Sequence, residues 1–509
     1  MRVRLLSRAS DLARLQALLV ARALEARWPD LTVELMTRVA SGDRDATTPL
    51  TALVDKGAFT SDLSDALARG EADAVVHSWK DLPLESSGGR PETTVAATLE
   101  RADPRDVLLV RRDAVAERPR VLTVLSSSPR RSWLLSQTLP ELLPWTVDEL
   151  RFAPVRGNIT TRIGKLTGTT GTTGTTGTTG TTGSAHALVV AKAALDRLLS
   201  FGAPFDDAAR TVRQMIDLCA WMVLPLREVP GAPAQGALAV EAARTSPALE
   251  RLQAISHQPT WDAVQKERAV LASYGGGCHE ALGATVLPRE YGRVVSVRGR
   301  SSGGAIDRGW SLIDAGPVPP RAEASKIWPR PDERHRGKRR PLTTAAPGDS
   351  GGFWVARAEA LPETWTLGPD RLVWAAGSTT WTRLAARGVW VNGCADGLGD
   401  IEPPAVDALA GRPLTWHRLT HAAAAAGDPL ALATYTVEDA LPEDLADRTH
   451  FFWTSGVLFQ EAIGRWPPLR DRWHGSGPGR TWRTLRDTLG ESARARVFLD
   501  YEEWTKAIL

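Results

Sequence analysis

Strands and helices alternate along the first part of the chain, and this alternation limits the fold more than any other feature of the sequence. Residues 10–28 place apolar side chains at helical spacing, and residues 31–39 then alternate apolar and polar side chains as a strand does. Residues 59–68 predict a second helix, and residues 72–76 predict a short buried strand that ends at His77. This order is typical of an α/β fold, in which ligand-binding groups lie at strand ends.

Length and charge exclude several classes of protein. The 509 residues are enough for roughly three or four domains, at about 100–200 residues each. A net charge of +3 is too close to neutral for nucleic acid or an anionic membrane to be the main partner. The N-terminus is interrupted by charge, and no apolar run reaches the ~18 residues of a membrane span. We therefore expect a cytoplasmic protein that binds anions in a local pocket.

The cysteines predict neither a disulfide framework nor a metal site. Cys219, Cys278 and Cys394 are odd in number and widely separated. Cys278 follows three glycines in the segment Tyr-Gly-Gly-Gly-Cys-His at 274–279, and such a loop can present a thiol to a ligand. The alternative interpretation is a small buried apolar side chain.

Composition divides the rest of the chain. Thr-Thr-Gly triplets at about 167–183 predict a surface loop insertion. Residues 315–350 are rich in proline and very basic, and this pattern predicts an interdomain linker, with a nucleic-acid-binding tail as the alternative. Tryptophan becomes frequent beyond Gly351, which indicates a separate module with its own core or an aromatic cleft.

A first polar cluster follows the strand that ends at His77. Residues 77–83 read His-Ser-Trp-Lys-Asp-Leu-Pro, so Lys80 and Asp81 would face a cleft at the strand end. The alternative interpretation is an ion pair on the surface.

A second cluster predicts an anion site. Residues 126–131 read Ser-Ser-Ser-Pro-Arg-Arg, and Arg156, Gly157 and Arg162 follow. Hydroxyls and backbone N–H groups at a helix start favour carboxylate or phosphate, as do guanidinium groups. A polycarboxylate ligand would fit, although each arginine taken singly is also typical of a solvated helix face.

Taken in order, these clusters resemble hydroxymethylbilane synthase, also called porphobilinogen deaminase, over about residues 1–315. The matching segments lie at 8–10, 56–60, 76–83, 101–106, 127–131, 156–158, 235–241 and 276–278. The resemblance implies two lobes like type II periplasmic-binding domains and a small α+β lobe that carries the cofactor cysteine. The implied boundaries are 1–105 with 232–256, then 106–231, then 257–318, followed by the linker at 319–350.

The resemblance also implies the chemistry. A dipyrromethane cofactor, bound as a thioether to Cys278, would prime the condensation of porphobilinogen into hydroxymethylbilane with release of ammonia. Asp81 would stabilise the cationic species and move protons, with Lys80 and His77 beside it. The implied cofactor contacts are Cys278, Ser78, Lys80, Asp81, Ser126, Ser127, Ser128, Arg130, Arg131, Arg156 and Gly157. The implied substrate contacts are Arg8, Ser10, Phe59, Arg162, Arg197 and Gln235. We expect a monomer without a metal ion.

Residues 351–509 resemble uroporphyrinogen-III synthase more faintly, through the segments 373–380, 451–456 and 474–481. This resemblance implies an α/β module whose small hydroxyl residues hold the carboxylates of a tetrapyrrole. The candidates are Thr454, Ser455, Tyr435 and Thr481, although hydroxyl residues at these positions also cap helices. The sequence therefore predicts a bifunctional enzyme.

Two other functions stay open. The deaminase could carry a C-terminal interaction module without activity. Alternatively, two α/β lobes with an anion cleft could form a polycarboxylate-binding protein, which would have no use for a tethered primer at Cys278.

Overall fold

A computed structural model describes residues 1–39, 61–84, 92–169, 185–275, 281–301, 303–333, 338–348, 351–438, 441–490 and 494–509. Within these ranges the predicted α/β class is confirmed, because strands and helices alternate through two lobes and again through the C-terminal part. None of the described helices is both long enough and apolar enough to cross a membrane.

The first lobe is a five-stranded sheet covered by helices. Its strands are β1 (Arg2–Arg8), β2 (Thr32–Arg38), β3 (Ala74–Ser78), β4 (Thr93–Ala97) and, later in the chain, β10 (Leu238–Ala243). Its helices are α1 (Asp11–Arg27), α2 (Ser61–Ala68) and α8 (Leu249–Ala254). The strand order is β2-β1-β3-β10-β4, and β10 runs antiparallel to both of its neighbours. The predicted helix at 10–28 and strand at 31–39 are thus confirmed as α1 and β2.

The second lobe repeats this arrangement. Its strands are β5 (Asp106–Arg111), β6 (Val121–Leu125), β7 (Glu149–Ala153), β8 (Ala187–Ala191) and β9 (Cys219–Val223). Its helices are α3 (Arg112–Glu117), α4 (Pro129–Leu142), α5 (Ile159–Thr167), α6 (Lys192–Ser200) and α7 (Asp206–Asp217). The order β7-β6-β8-β5-β9 again has an antiparallel strand, β5, in fourth place. The chain crosses between the lobes twice, at 98–105 and at 224–237, and we call these segments the first and second crossings.

The third lobe is a three-stranded antiparallel sheet with one helix. Its elements are α9 (Gln258–Ser273), β11 (Ala281–Arg289), β12 (Gly292–Ser301) and β13 (Gly304–Ile313). Glu267 on α9 is fully buried, and its carboxylate accepts hydrogen bonds from Arg101 Nη1 at 2.6 Å and from the backbone N–H of Ala234 at 2.7 Å. Because Arg101 lies on the first crossing and Ala234 on the second, Glu267 ties the third lobe to both.

The C-terminal part begins with a six-stranded sheet. Its strands are β15 (Lys338–Pro341), β16 (Gly352–Val355), β17 (Leu372–Ala375), β18 (Gly393–Cys394), β19 (Trp416–His421) and β20 (Ala431–Glu438). Its helices are α10 (Ser378–Ala386), α11 (Asp407–Ala410) and α12 (Ala422–Ala425). The order is β15-β20-β19-β16-β17-β18, and β15 runs antiparallel while the other pairs are parallel.

A second, four-stranded parallel sheet completes the C-terminal part. Its strands are β14 (Ile327–Trp328), β21 (His450–Trp453), β22 (Trp473–Ser476) and β23 (Ala495–Val497), and its helices are α13 (Gly456–Arg465), α14 (Arg480–Leu489) and α15 (Tyr501–Ile508). The tryptophan-rich region forms a packed core rather than an open aromatic surface, since Trp374, Trp381, Trp453 and Trp504 are all buried.

The basic, proline-rich segment predicted to be a linker is part of both C-terminal sheets. Ile327 is fully buried and pairs with His450, so the chain enters the four-stranded sheet before it forms the six-stranded one. The basic residues at 338–340 lie on the exposed edge strand β15, where Arg340 forms an ion pair with Glu438. The expectation of a free linker at 319–350 is corrected here, because the apolar pair at 327–328 supplies a strand that composition alone conceals.

The C-terminal part and the second lobe share one core. A continuous cluster of buried apolar residues includes Leu139 and Leu142 from α4 together with Trp381 and Leu384 from α10. Trp381 is fully buried, and its Nε1 donates to the carbonyl of Leu142 at 3.0 Å. We call this contact region the seam. Its extent means that the two parts are packed together and not merely joined by the chain.

Replacement of Trp381 tests the shared core. We expect Trp381→Ala to lower the free energy of unfolding by about 3–5 kcal/mol, because it removes a buried ring and leaves the Leu142 carbonyl unpaired. Hydrogen exchange should show lost protection in both α4 and α10. Trp28→Ala, at the half-buried end of α1, is the control and should leave both helices protected. Loss of protection confined to α10 would contradict the shared core.

Candidate active site

A cavity of about 410 Å³ lies where the first three lobes meet. Its size is within the range of about 300–1,000 Å³ that small-molecule sites occupy. Its charged lining residues are Arg8, Lys80, Asp81, Arg130, Arg131, Arg162, Arg197 and Arg268. Seven cationic side chains against one carboxylate, among the described residues that line it, strongly favour a ligand with several negative charges.

A single turn of 3-10 helix carries Lys80 and Asp81. The turn spans Trp79–Asp81 and follows β3 directly. Trp79 is buried against Trp261 of α9, with ring centroids 5.1 Å apart, so this aromatic contact anchors the turn to the third lobe. From α9, Arg268 also donates to the carbonyl oxygens of Leu82 and Pro83, at 3.1 and 2.6 Å. The turn is therefore fixed by two lobes at once.

Lys80 is held against Gln235 of the second crossing. Its Nζ donates to Oε1 of Gln235 at 3.2 Å. Burial lowers the pKa of Lys80 to about 8, although the neighbouring Asp81 favours its charged form. The ammonium group is thus charged at neutral pH and begins to lose its proton at mildly alkaline pH.

The serines that precede α4 mainly organise the local backbone. Ser128 is the N-cap of α4, and its hydroxyl accepts a hydrogen bond from the backbone N–H of Arg131 at 3.5 Å. Ser127 Oγ donates to the carbonyl of Val155 at 2.8 Å and accepts from the N–H of the same residue. Ser126 and both of these serines line the cavity, as the sequence predicts. Their hydroxyls therefore join two loops at the cavity rim.

Arg130 and Arg131 converge on one buried carboxylate, that of Asp106 at the start of β5. Arg130 Nη2 lies 2.9 Å from Asp106 Oδ2, and Arg131 Nη2 lies 2.7 Å from Asp106 Oδ1. Burial alone would raise the pKa of Asp106, but Arg131 and Arg130 outweigh it and hold the pKa well below its usual range. Gln235 Nε2 also donates to Asp106 Oδ1, at 2.9 Å. One carboxylate therefore orients two guanidinium groups and the amide that holds Lys80.

Arginines on the neighbouring helices crowd the same cavity. Arg162 Nε donates to the carbonyl of Gly157 at 2.8 Å, and Arg197 Nη2 donates to that of Gly236 at 2.7 Å. Burial and then Arg131 lower the pKa of Arg162 to about 10. Arg156 is not among the residues that line the cavity, but its buried Nη1 has no hydrogen-bond partner among the described residues. Arg131, which does line the cavity, has a buried Nε that also has no hydrogen-bond partner among the described residues.

His77 does not reach the cavity. It is buried on β3, and its Nε2 lies 3.0 Å from Oε2 of Glu241 on β10. Glu241 also accepts from Ser64 Oγ at 2.9 Å and from Thr93 Oγ1 at 2.6 Å. Successive residues of a strand point to opposite faces, so Ser78 lines the cavity while His77 faces the interior of the first lobe. The expectation that His77 flanks the reacting centre is corrected by this placement.

Most other predicted residues line one cavity. They are Arg8, Ser10, Ser78, Lys80, Asp81, Ser126, Ser127, Ser128, Arg130, Arg131, Gly157, Arg162, Arg197 and Gln235. Cys278 and Phe59 lie outside the described residues. The described residues also contain no group of three or more acidic, histidine or cysteine side chains placed to hold a metal ion.

Sequence reasoning missed Gln16, Asp106 and Arg268. Gln16 is buried on α1, and its amide donates to Ser78 Oγ at 3.0 Å. A polar residue on the apolar face of a predicted helix is the signal that could have identified it. No comparable signal marks Asp106 or Arg268, because their partners lie far away in the sequence.

The predicted C-terminal residues fall into two groups. Ser455 is the N-cap of α13, Thr454 precedes it at the carboxyl end of β21, and Thr481 lies in the first turn of α14, after β22. These three residues belong to the four-stranded sheet. Tyr435 is buried on β20 of the six-stranded sheet, with its ring centroid 6.0 Å from that of His421.

Comparison with known proteins identifies the first part of the chain. The family model described as "Porphobilinogen deaminase, dipyromethane cofactor binding domain" matches residues 3–251. A porphobilinogen deaminase of Syntrophomonas wolfei is 36% identical over 280 residues, which cover 54% of this chain and 78% of that protein. The chain belongs to the porphobilinogen deaminase family. Porphobilinogen deaminase activity therefore belongs to the first part of the chain, and the predicted dipyrromethane cofactor is confirmed by the matched domain.

Other relatives match a similar share of the chain. The porphobilinogen deaminase of Acidothermus cellulolyticus is 38% identical over 288 residues, or 55% of this chain and 74% of that protein. A probable porphobilinogen deaminase of Pyrobaculum islandicum is 31% identical over 309 residues, which cover 60% of this chain and 89% of that protein. A solved structure of the methionine-binding protein MetQ overlaps with a TM-score of 0.28 at 8% identity, covering 54% of this chain and 96% of that one. The family model ends at residue 251 and does not extend to residues 351–509.

The ionisation of Lys80 gives a pH prediction for this family activity. Since the Lys80 ammonium favours an anionic substrate and its pKa is about 8, kcat/KM for porphobilinogen should fall above pH 8. The fall should approach about tenfold per pH unit. Lys80→Arg should move this alkaline limb to higher pH, while the exposed Lys165→Arg should leave it in place. Identical pH profiles for the wild type and Lys80→Arg would contradict this role.

Proposed function

We propose that residues 1–318 synthesise hydroxymethylbilane with Asp81 as the catalytic acid and base and with dipyrromethane held by Cys278. The observation that carries this proposal is the cavity itself, where a single carboxylate stands among seven cationic side chains in the described part of the chain. Each pyrrole unit carries carboxylates, so the arginines would bind the substrate and the growing product. Asp81 would then be the group that acts on the reacting carbon.

The cavity fits an anionic cofactor. Burial and then repulsion from neighbouring arginines lower the pKa values of Lys80 and Arg162, and bound carboxylates would offset the repulsion. Arg131, which lines the cavity, has a buried Nε without a partner among the described residues, and a carboxylate bound beside it would satisfy that donor. We assign Ser78, Lys80, Arg130 and Arg131 to hold this group. When bound, dipyrromethane supplies the unsubstituted pyrrole carbon to which the first substrate unit is joined.

Asp81 lines the cavity and would serve in both proton transfer and charge stabilisation. Release of ammonia from porphobilinogen leaves positive charge on the methylene carbon of the substrate, and the cationic walls of the cavity would oppose this charge. The carboxylate of Asp81 offsets that opposition at close range. It also accepts a proton when the new carbon–carbon bond restores the pyrrole ring. Lys80, fixed by Gln235, would hold a substrate carboxylate beside it.

The position of Cys278 is supported from both sides of the segment that contains it. Leu271 on α9 precedes this segment and Leu282 on β11 follows it, and both line the cavity. The described residues on either side of Cys278 therefore bring the chain to the cavity. The glycines at 275–277 suit a short loop, since glycine permits backbone conformations that other residues avoid.

Intact mass spectrometry tests the anchor and the acid together. We expect wild-type protein to carry the mass of a bound dipyrromethane and Cys278→Ser to lack it. Asp81→Ala should keep that mass but lose about two to four orders of magnitude in kcat, because general acid–base catalysis contributes about 10²–10⁴-fold. Cys219→Ser is the matched control at a buried cysteine and should keep the adduct. A normal adduct on Cys278→Ser would refute the assignment, and absence of any adduct from the wild type would favour the polycarboxylate-binding alternative.

We also propose that the C-terminal part is a uroporphyrinogen-III synthase-like module, which would make the chain bifunctional. A mostly parallel six-stranded sheet and a parallel four-stranded sheet support this proposal, because loops at their strand ends meet. Gly399, in the loop after β18, lies directly against Gly479, in the loop after β22. Next to this junction Arg480 Nε donates to Asp400 Oδ2 at 2.7 Å. Thr481 follows Arg480 in the first turn of α14, so its hydroxyl is the candidate group near this junction for a substrate carboxylate.

The isomer of the final product tests this second activity. Full-length protein supplied with porphobilinogen should yield mainly the type III uroporphyrinogen, measured as oxidised porphyrin by chromatography. Thr481→Val should raise the type I fraction at an unchanged rate of porphobilinogen consumption. Thr488→Val, at the other end of α14, is the matched control and should leave the isomer ratio unchanged. Type I product alone from the wild type would support the inactive-module alternative.

A further inference from the structure

The seam between the second lobe and the C-terminal part reaches the segments that position the cavity. The segment 394–405, which we call the seam loop, follows β18 and contacts both crossings. Arg105 of the first crossing donates from Nη1 to the carbonyl of Cys394 at 3.2 Å. Asp396 Oδ1 accepts from the backbone N–H of Arg227, on the second crossing, at 3.3 Å. One loop of the C-terminal part thus holds both connections between the deaminase lobes.

Arg105 is fixed on three sides. Its guanidinium group forks onto Asp103, with Nη2 to Oδ2 at 2.6 Å and Nε to Oδ1 at 2.9 Å. It also lies over the ring of Trp374 from the C-terminal part, 5.3 Å from the ring centroid. These contacts and the hydrogen bond to Cys394 leave the crossing little freedom next to Asp106.

Lys192 forms a second tie between the seam loop and the first crossing. Its side chain is fully buried, and Nζ donates to the carbonyl of Ala405 at 2.6 Å. The same Nζ lies 2.6 Å from Asp196 Oδ2 and 3.6 Å from Asp103 Oδ2. Its backbone N–H donates to the carbonyl of Arg105 at 3.0 Å. A buried ammonium group with this set of partners is sensitive to the loss of any one of them.

The first crossing, which these contacts hold, ends next to Asp106, the carboxylate that orients Arg130 and Arg131 in the cavity. Asp106 follows Arg105 directly and carries Arg130, Arg131 and Gln235 on its two oxygens. Gln235 Nε2 also donates to the carbonyl of Pro104 at 2.8 Å. A displacement of the first crossing therefore moves Asp106 and the groups that depend on it together.

We propose that the seam loop is a positioning element of the deaminase cavity, acting through Lys192, Arg105 and Asp396 on the crossings that present Asp106. The inference rests on the proposed function, because it requires the cavity to bind porphobilinogen carboxylates. Loosening of the seam loop would misalign Arg130 and Arg131 and weaken substrate binding. The chemistry at Asp81 would be spared, because Arg268 and Trp261 of α9 hold that turn instead.

Two variants of the full-length protein test this role from opposite sides of the seam. Lys192→Met removes the donor to Ala405 from the deaminase side. Asp396→Gly removes the acceptor for Arg227 from the C-terminal side, and glycine suits the φ of +54° at this position. We expect both variants to keep the dipyrromethane mass and to raise KM for porphobilinogen by about two- to thirtyfold. The value of kcat should change by less than about twofold, since the acid is undisturbed.

Arg213→Gln is the matched control on the same seam. Arg213 Nη1 donates to the carbonyls of Ala408 and Leu409, both at 2.9 Å, but it touches neither crossing. We expect this variant to lower the melting temperature as the other two do and to leave KM unchanged. The control therefore separates general weakening of the seam from displacement of the crossings.

The outcomes are distinct. KM within about twofold of wild type in both folded variants would overturn the inference, and so would an equal rise in Arg213→Gln. If Lys192→Met does not fold, the KM of Asp396→Gly alone decides the test. If neither variant folds, the seam loop is required for folding, and the inference is also overturned. Absence of porphobilinogen turnover in the wild type would instead refute the proposed function.

Discussion

The buried carboxylate of Asp106 is the interaction on which the rest of the site depends. Two guanidinium groups are mostly buried beside the cavity, and buried cations are costly unless a counter-charge accompanies them. Asp106 supplies one negative charge for both guanidinium groups. This charge offsets part of the cost of burying them and leaves the lining of the cavity with a net positive charge. Because Gln235 joins the same carboxylate to Lys80, residues from the first lobe, the second lobe and the second crossing take their positions from one point.

The remaining positive charge explains why the cavity needs an acid at a defined place. Seven cationic side chains line it in the described structure, and they attract an anionic substrate but repel any cation formed during its reaction. A reaction that expels ammonia must form such a cation. In the proposed function, the carboxylate of Asp81 would lower that barrier from a position next to the reacting carbon, because the attraction between opposite charges weakens as their separation grows. The packing of Trp79 on Trp261 and the hydrogen bonds from Arg268 both fix the turn that carries Asp81 to helix α9.

The sequence was sufficient for the parts of the molecule that local rules determine. Helix α4 begins where Ser128 and Pro129 predict a start, and β3 ends where the polar cluster begins. The fate of His77 could not be predicted, because its partner Glu241 is 164 residues away and reaches it only through strand β10. The prediction of a linker at 319–350 failed for a similar reason. Ile327 pairs with His450, and all the strands of the six-stranded sheet lie between these two residues in the sequence.

The seam fixes how the deaminase lobes and the C-terminal part are oriented relative to each other. A flexible tether raises the effective concentration of one site near another but leaves their orientation free. A shared apolar core and hydrogen bonds such as that from the N–H of Val223 to the carbonyl of Asn392, at 2.8 Å, fix the orientation instead. The second lobe and the six-stranded sheet therefore move as one body, and Glu267 attaches the third lobe to both crossings. The crossings between the first two lobes are thus held at both the third lobe and the seam.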